Sequence, residues 1–161
     1  MGTLRDRSQC LFALLLVALL LNGCVTTQYG NFIQNVSLDA NQAMADDAAA
    51  QIGRLYPAAS TQLNLNHVVN DPFGHTLVDK LRQSGFAVLE TVNEPINLLS
   101  LSLPEGSAQS QPQKGLTFSY VVDQSDELYH ANVHIGDRHL SRAFLVKDNA
   151  IYPAGHWVSR Q

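Results

Sequence analysis

The fold class this chain predicts is α+β: an antiparallel β-meander sheet with two helices packed against it, preceded by a signal peptide and a flexible tether. Three observations carry that expectation. The first half holds two stretches with apolar residues at spacings of three and four, Met44 to Leu55 and Phe73 to Leu81, each with a helix-start signal before it. From Gly115 onward the pattern changes to alternation, punctuated by the turn pairs Gly136-Asp137 and Asp148-Asn149. At the start, an apolar run from Leu11 to Leu21 stops at Gly23-Cys24.

The composition sets the bounds. The 161 residues are 45% hydrophobic and 15% charged, which excludes a disordered chain or a fibrous repeat and leaves room for one domain of ordinary size. Formal charge is −4, and the few Lys and Arg are scattered with no basic stripe. Direct nucleic-acid binding is therefore not expected.

Arg5 and Arg7 form a positive head, tempered by Asp6, ahead of an apolar core shorter than the roughly 20 residues a spanning helix needs. Leu21-Asn22-Gly23-Cys24 resembles a bacterial lipobox, in which a small residue precedes a cysteine at the end of the apolar core. That resemblance implies diacylglycerol attached through the Cys24 sulfur, cleavage before Cys24, and acylation of the new amino group. Asn22 departs from the pattern, since a small or apolar residue is more usual there. The competing readings are a membrane anchor, or an ordinary signal peptide that happens to contain a cysteine. Of the two cysteines, Cys10 leaves with the leader and Cys24 is taken by lipid, so no disulfide or thiol site is expected in the mature chain. Val25 stands where an aspartate would favour inner-membrane retention, so the expected location is the outer membrane, with the domain facing the periplasm. The domain reading is then 1–23 cleaved leader, 24–37 lipidated N-terminus and tether, and 38–161 a single α+β domain.

The elements follow in order. Val25 to Ser37 carries no charge and reads as a tether that could extend about 43 Å. It nevertheless contains Tyr29, Phe32 and Ile33, which a bare spacer would lack. These residues suit docking of the segment along a partner's sheet edge, against the plainer options of lying on lipid or folding back onto the domain. Ser37 caps a helix running to about Tyr56, stopped by Pro57. Asp46 and Asp47 lie off its apolar stripe and read as a solvated face. Ser60 to Asn66 alternates as a strand. Asp71-Pro72 places an N-cap and an N1 proline ahead of a second helix, Ser84-Gly85 ends it, and Phe86 to Leu89 is a strand. Ile96 to Leu103 alternates again, and Pro104 to Lys114 is a polar loop.

In the meander, Leu116, Phe118, Tyr120 and Val122 share one face, and Tyr129, Ala131, Val133 and Ile135 share the face of the next strand. Gly136-Asp137 suits a type II′ hairpin, which pairs Ile135 with Arg138 and Val133 with Leu140. Phe144 and Val146 then fall on the apolar side, and a last strand holds Ile151, Trp157 and Val158. Trp157 is expected in the core.

Chemistry-bearing motifs are scarce. The sequence has no G-x-S-x-G, no Gly-rich phosphate loop, no C-x-x-C and no H-E-x-x-H, and neither a catalytic residue, a metal nor a cofactor beyond the covalent lipid is expected. His130 and His134 on a strand stand about 13 Å apart, too far to share an ion. His134 and His139 become cross-strand neighbours, read first as two polar residues on a wet face and second as a metal or proton-sensing pair.

Several segments taken in order, "GCVTTQYGNF", "LYPAASTQLNL", "DPFGHTLVDKLRQSGFAV" and "SRAFLVKDNAIYPAGHWVSRQ", resemble the TrbH family of conjugal-transfer lipoproteins across nearly the whole mature chain. The resemblance is weakest at 96–114. It implies a structural, non-enzymatic component of a mating-pair-formation apparatus, a type IV secretion system, in contact with other channel proteins and with the outer membrane. A surface-exclusion or other periplasmic lipoprotein, or a small-ligand-binding domain, remains the alternative.

Overall fold

A computed structural model describes residues 29–91, 115–148 and 150–161. The leader, Cys24, the strand expected at 96–103 and the loop 104–114 lie outside the described residues. Among the described residues nine elements run in the order β1 (Gly30–Asn31), α1 (Leu38–Leu55), β2 (Gln62–Leu65), α2 (Pro72–Gln83), β3 (Ala87–Leu89), β4 (Leu116–Ser125), β5 (Leu128–Ile135), β6 (Arg138–Lys147) and β7 (Ala150–Arg160), with a short 3₁₀ turn at Ala58–Ser60.

Both helices begin where their caps are. Ser37 Oγ accepts from the Ala40 amide at 3.2 Å, satisfying one of the orphan donors of the first turn of α1. Asp71 does the same for Gly74, with Pro72 at the first helical position of α2. Gly85, at φ +90°, carries the chain out of α2 in a conformation that a side chain would strain. The buried positions of α1 are Asn41, Met44, Ala45, Ala48, Ala49 and Ile52, and those of α2 are Phe73, Gly74, Leu77, Val78 and Leu81. Each set forms one stripe at helical spacing.

The sheet is mixed, which corrects the expected antiparallel one. Its order is β3-β2-β4-β5-β6-β7, with β1 beside β4. The meander β4 to β7 is antiparallel throughout, but β1 and β2 run parallel to β4, and β3 parallel to β2. The cause is the connection: β2 returns as β3 through helix α2, and a helical crossover joins parallel strands. Alternation marks a strand without naming its neighbour.

The hairpin register is the expected one. Ile135 faces Arg138, His134 faces His139 and Val133 faces Leu140, and Gly136 has φ +56° while Asp137 does not enter the positive region, as a type II′ turn requires. Between Ser141 and Ala143 the β6–β7 register shifts, so that Gly155, His156 and Trp157 lie opposite Arg142. This bulge lets Trp157 turn toward α1.

One core results. Leu63 and Leu65 of β2, Phe118, Tyr120 and Val122 of β4, Ala131, Val133 and Ile135 of β5, and Leu140 and Phe144 of β6 close against the stripes of both helices. Phe118, Tyr120, Phe73 and Phe144 are the bulkiest side chains in it. Trp157 is partly buried and packs against its margin.

Candidate functional site

The expected docking segment begins to be described at Tyr29, and from there it lies on this chain's own sheet. Gly30 and Asn31 pair in parallel with Val121 and Val122, and the Phe32 amide donates to the Val122 carbonyl at 2.7 Å. The strand addition anticipated for a partner is thus made internally, along the part of β4 that β2 leaves uncovered. Asn31 Nδ2 donates to Asn41 Oδ1 of α1 at 2.8 Å, Asn31 Oδ1 accepts from the Ile33 amide at 2.9 Å, and Asn41 Nδ2 donates to the Ser37 carbonyl at 3.0 Å. Buried Asn41 is satisfied by these bonds. The tether expected over residues 24–37 therefore overlaps a structured arm from Tyr29 onward.

The three residues singled out there part company. Ile33 is 8% exposed and belongs to the core. Tyr29 stacks on His67, with ring centroids 5.5 Å apart. Phe32 stands out, 50% exposed, and Leu38 at the start of α1 is 58% exposed.

Behind Tyr29 the arm meets a polar and aromatic cluster that sequence reading did not find. His67 sets its ring against Tyr120 at 4.7 Å, and Tyr120 lies 5.1 Å from Phe73. Tyr120 Oη donates to Asp71 Oδ2 at 2.7 Å, while Oδ1 of the same carboxylate caps α2 through the Gly74 amide at 2.9 Å. Burial first, and then the bond to Asp71, push the Tyr120 phenol well above its ordinary range. Burial also lowers the His67 pKa, against smaller opposing effects of the Val68 carbonyl and Asp71. His67 Nε2 is buried with no hydrogen-bond partner among the described residues. The one available signal was Asp71-Pro72-Phe73-Gly74, which reads as a cap but does not reveal that its carboxylate serves two elements.

Asp46 and Asp47, read as a solvated pair, separate as well. Asp46 makes an exposed ion pair with Lys80 of α2 at 2.9 Å. Asp47 receives Arg142 Nη1 on both oxygens at 2.8 Å and Trp157 Nε1 at 2.9 Å, joining α1 to β6 and β7. Its partners lie 95 and 110 residues away in sequence, beyond any local pattern.

His134 and His139 meet as expected, ring centroids 4.1 Å apart. Burial, and then the neighbouring His139, lower the His134 pKa. Among the described residues no group of three or more His, Cys, Asp or Glu is arranged to hold a metal ion. His130 instead faces Asp123 at 3.1 Å.

Fold and contacts together define a small α+β domain, its two helices on one face of a mixed sheet, led by an N-terminal arm stitched to that sheet. The family described as conjugal transfer protein TrbH matches residues 26–161, nearly all of the chain beyond the expected leader, and the chain belongs to this family. No curated protein and no solved structure matches it.

Proposed function

We propose that this protein is a lipid-anchored assembly component of a conjugative type IV secretion apparatus, held at the outer membrane through Cys24 with its domain in the periplasm. The observation that carries the reading is the family match over residues 26–161, joined to the lipobox-like Leu21-Asn22-Gly23-Cys24 just upstream. The arm adds a geometric reason. Only residues 25–28 separate Cys24 from Tyr29, which is stacked on His67 of the domain, and the stretch from Cys24 to Tyr29 reaches about 17 Å at most. A bilayer's polar layer is about 5–7 Å deep on each side, so an acylated Cys24 would keep the domain close to the membrane surface.

Within that arrangement the contact with another channel component falls to Phe32 and to Leu38, six residues further on at the start of α1. Tyr29 and Ile33 are engaged by the domain itself, whereas these two apolar side chains are about half exposed. Apolar anchors that gain burial on association supply most of the affinity of a small interface. The role is positional and not catalytic: the lipid confines the domain, and the arm presents the contact.

The test replaces Phe32 and Leu38 together with Ser. Co-purification of other channel proteins from conjugating cells and plasmid transfer should both fall, while palmitate labelling and the urea midpoint stay at wild-type values. Unchanged transfer and co-purification would remove the arm from the interface and favour a lipoprotein outside the channel.

A further inference from the structure

The sheet face turned away from the helices carries a row of polar groups that neither the core nor the arm uses. Strand register aligns Ser119, His134, His139 and Arg160 across β4, β5, β6 and β7. The next pair on the same face of β5 and β6 is Asn132 and Ser141. Asn132, His134, His139, Ser141 and Arg160 line a single groove of about 530 Å³. Among the described residues no carboxylate side chain lines it, although the chain carries 14 Asp and Glu against 10 Lys and Arg. The nearest carboxylate on this face of β4 or β5 is Asp123, which is engaged with His130; His130 lies four residues from His134, about 13 Å along the strand.

We propose that this groove binds a phosphate group. Each polar side chain lining it among the described residues can donate: the guanidinium fork of Arg160, a ring N–H from each histidine, the Asn132 and Gln161 amides and the Ser141 hydroxyl. Phosphate offers several acceptor oxygens, and a planar guanidinium matches its geometry by paired N–H donors. A cation fits less well. Two imidazoles could share one, but Arg160 opposes its charge and no third ligand joins them among the described residues.

The site is responsive to pH because of what faces His134. From β4 the neighbour is the uncharged Ser119, from β6 His139, and from β7 Arg160 beyond it. Nothing in that row compensates a positive imidazolium, and the ring is partly withdrawn from water, so the empty groove disfavours the protonated form. A bound phosphate supplies the missing negative charge. Binding and protonation of His134 therefore favour one another.

The experiment is a titration of detergent-solubilised full-length protein carrying isotope-labelled histidine, followed by NMR at constant ionic strength with chloride as the reference anion. Inorganic phosphate represents a free ligand, and glycerophosphoglycerol, the water-soluble headgroup of phosphatidylglycerol, represents a lipid source. Phosphate or the diester should move the His134 and His139 signals ahead of the other histidines. Affinity for the diester, whose single charge is constant over this range, should rise roughly tenfold between about pH 7.5 and about pH 5.5, the equivalent of a one-unit shift of one imidazole. Arg160→Gln should weaken binding at both pH values, and His134→Gln with His139→Gln should abolish the pH dependence. Stronger binding of the diester assigns the groove to lipid headgroups, and stronger binding of inorganic phosphate to a free ligand. Histidine signals that respond no more to either probe than to chloride, or binding indifferent to all three substitutions, would overturn the proposal.

Discussion

Alanine at Asp46 and alanine at Asp47 should have different consequences, although the two carboxylates are adjacent. Asp46 and Lys80 are each more than 40% exposed at the side chain, and such pairs are worth about 1 kcal/mol or less. Asp47 and Arg142 are 26% and 14% exposed, and the same carboxylate also accepts from Trp157. Its removal leaves a largely enclosed guanidinium without its counter-ion, and hydrogen bonds to charged groups contribute about 1.5–3 kcal/mol each. Asp47→Ala should therefore lower the urea midpoint clearly, and Asp46→Ala hardly at all; equal effects would contradict the assignment. Gly74 makes a second residue-scale case. A Cβ there would lie 1.9 Å from Tyr120 Oη and 2.7 Å from its Cζ, a clash that requires the phenol to move off Asp71. Gly74→Ala should destabilise by about 1–3 kcal/mol or more, and Tyr120→Phe in the same chain should restore part of that loss by removing the nearest atom. Additivity of the two in denaturant unfolding would refute the contact. None of these contacts was legible beforehand, because each joins residues far apart in sequence.

Among the elements, what could be read locally was read well, and what depends on distant partners was not. The caps Ser37 and Asp71-Pro72 located both helices, and Gly136-Asp137 set the β5–β6 register down to the facing of His134 and His139. The orientation of β2 and β3 escaped, since a crossover helix, not the alternation within either strand, decides it. The arm escaped for a similar reason: Gly30 and Asn31 form too short a strand to carry a period, and their partners are on β4. Where arm, β2–α2 loop and β4 meet, a pH effect follows. The folded state holds the His67 pKa below the value of about 6.5 typical of an unfolded chain, so the unfolded chain takes up the proton first. The stabilising contribution is fully present above the unfolded pKa and is lost as pH falls through the folded one. The urea midpoint of wild type should therefore drop on acidification below about pH 6.5, and His67→Gln should show a smaller drop. His134 acts in the same direction, so some slope should persist. An identical slope in both proteins would contradict the buried, neutral assignment of His67.

For the molecule as a whole, a mixed sheet, two helices on one face and a stitched N-terminal arm make one domain over the described residues, which the proposed function ties to a membrane through the short stretch from Cys24 to Tyr29. Membership of the TrbH family supplies the process, conjugal transfer; anchoring through Cys24 is the central claim of the proposed function. The most direct test is Cys24→Ala, followed by palmitate labelling, membrane fractionation and plasmid transfer in the same cells. Cys24 lies outside the described core, so the variant domain should fold and be exported. It should carry no palmitate, leave the outer-membrane fraction and support little transfer. Equal labelling of wild type and variant, or an unlabelled variant that stays in the outer membrane and transfers plasmid at the wild-type frequency, would contradict it.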